Sequence, residues 1–222
     1  MTAATRLAIV GGTGALGAGL ALRWAKAGYP VAIGSRTADK AQIAAELLLE
    51  RLPDAAILAA DNRGAAHNAD IVVVTVPFAA QEPTLHDIRD VVQGKIVVDV
   101  TVPLQPPQVS RVHLPPAGSA AQAAQAILGD GVKVVSAFQN VSAQHLQDLD
   151  HAIDCDVLVC GNDVAARETV IGLAAAAGMK GWHAGVLANA VAAESLTAVL
   201  IAINRRYKIA GAGLRIVGET KA

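Results

Sequence analysis

The sequence predicts an α/β fold, a doubly wound (Rossmann-type), mostly parallel sheet with a small helical C-terminal part. Short β-branched runs alternate with alanine-rich helical stretches along the 222 residues. Most of these runs are apolar throughout, which is typical of parallel strands covered by helices on both faces. Hydrophobic residues make up 53% of the chain, which is enough for a large core.

Each predicted element follows from a local signal in this alternation. The apolar runs predict strands over residues 7–10, 31–34, 57–60, 71–76, 96–102, 132–138 and 157–160, with a last short strand over 182–184. Helices are predicted over residues 18–27, 163–177 and 186–206, and another begins at the capping box formed by Ser119 and Gln122. Residues 103–116 contain five prolines and form either a wall of a ligand site or a plain connector.

A glycine-rich turn joins the first predicted strand to the first helix. Gly12, Gly14 and Gly17 have the Gly-x-Gly-x-x-Gly spacing of a dinucleotide-binding turn. Gly12 would allow the tight turn, Gly14 the approach of a pyrophosphate, and Gly17 close packing of helix and sheet. The amides of Thr13 to Leu16 would then face the anion at the helix N-terminus. The alternative is a glycine turn that binds nothing.

The end of the second predicted strand indicates which dinucleotide would bind. An NAD site usually carries Asp or Glu there for the ribose hydroxyls. This strand instead leads into Ser35 and Arg36, with Lys40 one helical turn later. A hydroxyl and two cations suit a 2′-phosphate, which a carboxylate would repel. The sequence therefore predicts NADP(H); the alternative is that Arg36 and Lys40 form a solvated helix start.

The remaining predicted strand ends carry no recognisable catalytic group, so we predict neither a catalytic residue nor a metal. Tyr207-Lys208 lacks the spacing of a Tyr-x-x-x-Lys pair, and the six histidines and two cysteines lack metal-ligand spacing. The fourth, fifth and sixth strands end in apolar and uncharged polar residues, at the edge where open α/β sheets bind ligands. Such a slot suits hydride transfer between two flat rings, which needs alignment more than an acid or base.

Six motifs, in register over nearly the whole chain, identify a family. They are GGTGALG at 11–17, GSR at 34–36 followed by Lys40, DIVVVTVP at 70–77, VVSA at 134–137, VCGND at 159–163 and ESLT at 194–197. Together they resemble the NADPH-dependent coenzyme F420 reductases (F420:NADP oxidoreductases). This likeness is more specific than a Rossmann glycine pattern alone.

The resemblance implies an enzyme that moves a hydride between C4 of the nicotinamide of NADP(H) and C5 of the deazaflavin coenzyme F420, its co-substrate. We expect residues 1–184 to form the NADP-binding domain, and residues 185–222 to complete the second-substrate site and contribute dimer contacts. The implied site residues are Thr13, Gly14, Ala15 and Leu16 on the pyrophosphate, Ser35, Arg36 and Lys40 on the 2′-phosphate, Val76, Val102 and Ala137 along the nicotinamide, and the glycine-rich tail near Ala212 on the deazaflavin side.

Two stretches depart from the archaeal-type pattern of this family. Phe78-Ala79-Ala80 replaces the aromatic-to-His part of Ile-Pro-Trp-x-His, and Gln139-Asn140 stand where that type has His-Thr. Both lie on the deazaflavin side, so other acceptors stay open: a flavin, a pterin or a small imine. A nucleotide-binding sensor without turnover is the remaining alternative.

Composition limits the partners and the compartment. Lys and Arg number 18 against 19 Asp and Glu, and aromatic residues are 3%, so a nucleic-acid surface is not expected. Two cysteines and no evident leader favour the cytoplasm. Polar residues interrupt the apolar stretch 186–203, which predicts a buried or interface helix instead of a membrane span. Its apolar face predicts either self-association, as a homodimer or a higher homo-oligomer, or packing of this helix across the sheet.

Overall fold

The computed structural model describes residues 5–218, in which eight strands form one sheet. The strands are β1 (Leu7–Val10), β2 (Val31–Ser35), β3 (Ile57–Asp61), β4 (Ile71–Val74), β5 (Ile96–Asp99), β6 (Lys133–Ser136), β7 (Asp156–Gly161) and β8 (Lys180–His183). Their order in the sheet is β3-β2-β1-β4-β5-β6-β7-β8. The first six strands run parallel, β7 pairs antiparallel with β6, and β8 is parallel to β7.

This order confirms the doubly wound, mostly parallel fold. The chain passes outward from β1 through β2 to β3 and then returns to place β4 on the other side of β1. The carboxyl ends of β1 and β4 therefore flank the topological switch point, where open α/β sheets leave a crevice for ligands.

Helices cover both faces of the sheet. They are α1 (Ala15–Lys26), α2 (Ala38–Leu49), α3 (Asn62–Asn68), α4 (Phe78–Ile88), α5 (Ala120–Leu128), α6 (Ala143–Gln147), α7 (Val164–Ala176) and α8 (Ala190–Tyr207), with a 3-10 turn at Leu187–Asn189. Alternate residues of β1 enter opposite core layers, because side chains along a strand alternate in direction. Leu7 and Ile9 pack with α1, α2 and α7, whereas Ala8 and Val10 pack with α3, α4 and α5.

Three strands end earlier than their apolar runs predict. The runs 71–76, 96–102 and 132–138 continue past the last strand residues Val74, Asp99 and Ser136. The backbone turns there into the loops that form the carboxyl edge of the sheet. After β6, Phe138 adopts a left-handed φ of 71° and packs edge-to-face against Trp24, with ring centroids 5.6 Å apart. Apolar composition marks burial: Val100, Ala137 and Phe138 are buried without belonging to a strand, whereas Val76 and Val102 are only partly buried.

Helix boundaries differ from the predicted ones mainly at their starts. Helix α1 begins at Ala15 and not at residue 18, because Gly14 is its N-cap. The Ser119 cap is confirmed, since its hydroxyl oxygen accepts from the Gln122 amide at 3.1 Å. The stretch predicted as one helix over 186–206 is divided into the 3-10 turn and α8.

Buried Arg23 fixes α1 relative to the far side of the domain. Its guanidinium donates to the carbonyl oxygens of His145 at 2.9 Å, Leu146 at 3.0 Å and Ala177 at 3.3 Å. These bonds satisfy carbonyls at the C-terminal ends of α6 and α7, which lack partners within their helices. The C-terminal half of α1 is thereby attached to the ends of α6 and α7.

The segment Leu187–Tyr207 is long and apolar enough to cross a membrane by length and composition alone. About 33% of its most apolar window is buried against the rest of the protein. Inside it, Glu194 is 2% exposed and binds the backbone of α5. The helix thus packs on the sheet domain through one face.

Candidate functional site

A cavity of about 840 Å³ lies at the carboxyl edge of the sheet, across the switch point. It extends from the glycine turn after β1 and the end of β2 to the loops after β4, β5 and β6, and reaches α8. The residues that line it are Gly11, Thr13, Gly14, Ala15, Leu16, Ser35, Arg36, Lys40, Asn62, Thr75, Val76, Pro77, Phe78, Ala80, Thr84, Val100, Thr101, Val102, Leu104, Gln139, Val141, Ala143 and Thr197.

Most glycines of the turn are required by packing. A Cβ on Gly17 would lie 2.6 Å from Thr75 Oγ1, and one on Gly12 would lie 2.7 Å from the Ile9 carbonyl oxygen. The left-handed residue of the turn is Gly11, with φ +75°, whereas the sequence pattern assigned the tight turn to Gly12. The predicted role of Gly17 in close helix packing agrees with these distances.

Gly14 differs from the other glycines, because a Cβ there would meet only the Gly11 carbonyl oxygen, at 3.8 Å. The position is exposed on the cavity side, so glycine leaves the backbone open to a ligand. Helix α1 begins directly after it, without a side-chain cap. Within residues 5–218 the first-turn amides of Ala15 and Leu16 have no protein acceptor, and such amides suit a pyrophosphate.

The residues predicted to bind the 2′-phosphate lie at and just after the end of β2. Ser35 is 6% exposed as the last strand residue, while Arg36 and Lys40 are exposed at the start of α2, and all three line the cavity. Asp61 is the neighbour of Ser35 in the β2–β3 register. Its carboxylate accepts from the Gly64 amide at 2.6 Å, and Asp61 lines, with Ser35 and Arg36, an adjoining cavity of about 510 Å³ instead of the main one. The residues at this end therefore fit a phosphorylated ribose.

Two side chains that support the turn were not predicted. Asn62 Oδ1 accepts from the Gly11 amide at 3.2 Å, and Thr75 Oγ1 donates to the Val10 carbonyl at 3.0 Å. Both residues line the cavity. The Asp61-Asn62 pair after the third apolar run was a usable signal, since such residues are preferred at helix starts.

Only some of the residues predicted to contact the nicotinamide and the deazaflavin line the main cavity. Val76 and Val102 line the cavity. Ala137 is fully buried outside its lining, and its amide donates to the Asp99 carbonyl at 3.3 Å. Ala212 lines a neighbouring cavity of about 170 Å³, which shares Gln139, Val141 and Thr197 with the main one. Nine of the eleven predicted site residues thus meet in the main cavity.

The cavity lining contains few kinds of ionisable group. Its described lining includes the cations Arg36 and Lys40 but no carboxylate, histidine, cysteine or tyrosine. Among residues 5–218 no group of three or more His, Cys, Asp and Glu is placed to hold a metal ion. One end can therefore bind anions, whereas the other is formed by apolar and uncharged polar groups.

Two buried carboxyl groups lie behind the cavity wall. Glu194 of α8 accepts from the Ala120 and Ala121 amides at 2.7 and 3.1 Å, at the N-terminus of α5. Gln81 of α4 donates to the carboxylate of Asp99, the last residue of β5. Burial raises the pKa of Glu194 to about 8 and that of Asp99 to about 6. Neither residue lines the cavity, so their role is to hold β5, α4, α5 and α8 together.

Comparison with known proteins identifies the family. The family of NADP oxidoreductases described as coenzyme F420-dependent matches residues 6–103. An F420-dependent NADP reductase of Methanocaldococcus jannaschii is 42% identical over 219 aligned positions, and the alignment covers 95% of this chain and 97% of the relative. Its counterpart from Methanothermobacter thermautotrophicus is 40% identical over 218 aligned positions, and the alignment covers 95% of this chain and 94% of that protein.

A solved structure agrees with the sequence relatives. A crystal structure assigned to an F420-dependent NADP reductase of an Arthrobacter species has a TM-score of 0.82 and 27% identity. The likeness covers 96% of this chain and 99% of that one. By its sequence relatives, which match along almost their whole length, the chain belongs to the family of F420-dependent NADP reductases.

Proposed function

We propose that this protein transfers a hydride directly between NADP(H) and the deazaflavin coenzyme F420, with no dedicated acid or base residue. The observation that carries the proposal is the lining of the cavity, which joins a cationic end to a slot without an ionisable group. When both coenzymes are bound, they supply the chemistry, with the hydride moving between C4 of the nicotinamide and C5 of the deazaflavin. The protein supplies alignment and excludes water.

The residues of the cavity divide this work. The amides of Thr13, Ala15 and Leu16 bind the pyrophosphate at the start of α1. Ser35, Arg36 and Lys40 bind the 2′-phosphate by charge-assisted hydrogen bonds. Val76 and Val102 contact the nicotinamide, and Ala137, which is buried outside the cavity lining, supports this end of the slot. The tail around Ala212 lines the neighbouring cavity of about 170 Å³ and closes the deazaflavin side.

Direct transfer can be tested with deuterium. Purified protein is mixed with oxidised coenzyme F420 and NADPH labelled at either face of C4, and the deazaflavin absorbance is followed. We expect reduction of the coenzyme, with the label of one face recovered at C5. Loss of that label to solvent would exclude direct transfer, and no reduction of coenzyme F420 at any pH would exclude the activity itself.

We further propose that the protein is a cytoplasmic homodimer in which residues 185–222 contribute the contact. The outer side of this part exposes apolar residues, among them Val199 at 42%, Ile209 at 47% and Tyr207 at 70%. Burying such a surface against a second copy removes apolar area from water. Analytical ultracentrifugation should give twice the chain mass, and Val199→Glu should shift it toward the monomer; a wild-type monomer would contradict the proposal.

A further inference from the structure

The proline-rich loop after β5 forms a small cavity that adjoins the main one. Leu104 lines the main cavity, and the next residue, Gln105, lines a cavity of about 240 Å³. We call this cavity the loop pocket; it is lined by Gln105, Gln108, Arg111, Val112, His113 and Leu114. Nε2 of Gln105 lies 2.8 Å from Nε2 of His113, so the two ends of the loop are in contact across the pocket. Because neighbouring residues line the two cavities, a ligand in the main cavity can extend into the loop pocket.

Two arginines give the loop pocket a positive charge. Arg111 is exposed in its lining. Arg205, near the C-terminal end of α8, is also exposed, and its guanidinium donates to Oγ of Ser110 at 3.4 Å. This contact places the second guanidinium beside the residue that precedes Arg111. Within residues 5–218 neither guanidinium pairs with a carboxylate, so both are available to an anion from outside the protein.

The two segments that carry these arginines contain no acidic residue. From Thr101 to Ser119 and from Ser195 to Gly218 the sequence has neither Asp nor Glu, although the whole chain has 19 of them. The chain as a whole has a net charge of -1, so this absence is a local imbalance and not a property of the whole protein. A local excess of positive charge attracts anions.

The loop pocket is distant from the groups assigned to the phosphates of NADP(H). Those groups follow β1 and β2, whereas the loop follows β5, and β4 lies between β1 and β5 in the sheet. At about 4.8 Å per strand, the end of β5 is about 10 Å from that of β1 and about 14 Å from that of β2. We therefore assign the positive charge of the loop pocket to a second anionic ligand, bound at the opposite end of the cavity from Arg36.

We propose that the loop pocket and Arg205 bind the acidic tail of coenzyme F420. The inference rests on the proposed function, in which the deazaflavin ring occupies the slot beside this loop. The coenzyme carries a phosphate and glutamate carboxylates on the chain attached to its ring, and arginine binds both kinds of group through parallel hydrogen bonds. The five prolines of residues 103–116 restrict the loop backbone before any ligand binds, which lowers the entropy cost of ordering it.

Comparison of the coenzyme with its tail-free portion isolates the contribution of the tail. This portion, a deazariboflavin, keeps the ring and the ribityl chain but has neither phosphate nor glutamate. Calorimetric titration of the wild type should show tighter binding of coenzyme F420 than of the deazariboflavin, and added salt should reduce the difference. The double variant Arg111→Ala/Arg205→Ala should bind coenzyme F420 about five- to 25-fold more weakly, the scale of two exposed ion pairs, with deazariboflavin and NADPH binding unchanged.

Arg89→Ala/Arg206→Ala is the matched control, because it also removes two exposed cations. Arg206 follows Thr197, the residue of α8 that lines the main cavity, by about two and a half helical turns, so it lies on the opposite face of the helix. Arg89 is at the C-terminal end of α4 and lines neither cavity. The control should bind coenzyme F420 within about twofold of the wild type. Arg111→Lys keeps the charge and should lose less affinity than Arg111→Ala.

Three results would overturn the inference: coenzyme F420 binding by Arg111→Ala/Arg205→Ala within about twofold of wild type, an equal loss with the deazariboflavin, or an equal loss in the control variant. These titrations need no turnover. A wild type that binds the tail through these arginines but does not reduce coenzyme F420 would count against the proposed function alone. A double variant with unchanged affinity, from a protein that does reduce the coenzyme, would count against this inference alone, and a wild type that does not bind the coenzyme would overturn both.

Discussion

At the scale of single residues, Arg36 has the most specific proposed role. It is exposed at the start of α2, beside buried Ser35, and both line the end of the cavity to which we assign the 2′-phosphate. Arginine matches phosphate through several parallel hydrogen bonds, so it discriminates by geometry as well as by charge. Because NADH lacks the 2′-phosphate, this contact can be isolated by comparing two nucleotides.

Arg36→Ala should weaken NADPH binding by about 1–3 kcal/mol, the scale of a hydrogen bond to a charged group. NADH binding should change far less, so the preference for NADPH should fall by about five- to 150-fold. Titration of the variant with each nucleotide measures this difference. Arg89→Ala, at the C-terminal end of α4 and outside the cavity lining, is the matched control. An equal loss for NADPH and NADH would refute the phosphate role.

At the scale of elements, the junction of β1 and α1 combines two requirements on one short sequence. Gly17 is enclosed by Thr75 and Gly12, so its lack of a side chain serves the packing of α1 on the sheet. Gly14 has space around it and faces the cavity, so its lack of a side chain serves ligand approach. The glycines of this one sequence motif therefore serve two different purposes, helix packing at Gly17 and ligand approach at Gly14.

Alanine at the two positions should separate stability from binding. Gly17→Ala should destabilise the protein by about 1–3 kcal/mol, because overpacking forces the surrounding structure to shift. Gly14→Ala should leave the free energy of unfolding nearly unchanged but weaken NADPH binding at least about tenfold, since the methyl group would obstruct the pyrophosphate. Urea unfolding and calorimetric titration measure the two quantities.

Gly172→Ala supplies the control for both glycine variants. It lies inside α7 with nothing within 4 Å of its added Cβ, so alanine should stabilise the helix by about 0.5–1 kcal/mol. NADPH binding should not change. A Gly14→Ala protein that binds NADPH as tightly as the wild type would remove the glycine turn from the binding site.

The sequence predicted elements better than it predicted contacts between distant segments. Strand alternation and the glycine spacing suffice for the fold and the nucleotide end, because these signals are local. The roles of Asn62 and Gln139 depend on loops that only the sheet brings together, over separations of 51 and 40 residues from Gly11 and Asp99. The sequence shows which uncharged polar residues follow these strands, but tertiary hydrogen bonds set the orientation of their side chains.

At the scale of the whole molecule, the buried carboxyl groups connect the C-terminal helix to the sheet beneath the cavity. Glu194 and the α5 amides that it binds are more than 70 residues apart in sequence, as their separations of 73 and 74 show. The carboxyl of Asp99 is close enough to raise the pKa of Glu194 further. The packing of α8 on the domain is thus linked to the protonation of an acid that solvent does not reach.

This linkage predicts a stability that falls as pH rises. The pKa of Glu194 is about 8 in the folded protein against an ordinary value of 4.5, so between these values the folded state holds a proton that the unfolded state has lost. The stabilisation is complete below pH 4.5 and is lost as pH rises to about 8, by at most about 1.4 kcal/mol per pH unit. Asp99 adds to the same slope between pH 3.8 and about 6.

Urea unfolding at pH 5 to 8 measures this slope. The free energy of unfolding of Glu194→Gln should fall less steeply with pH than that of the wild type. Glu50→Gln, at an exposed position at the end of α2, should retain the wild-type slope. Parallel slopes for wild type and Glu194→Gln would mean that Glu194 is ionised in the folded protein, held by the amides of α5.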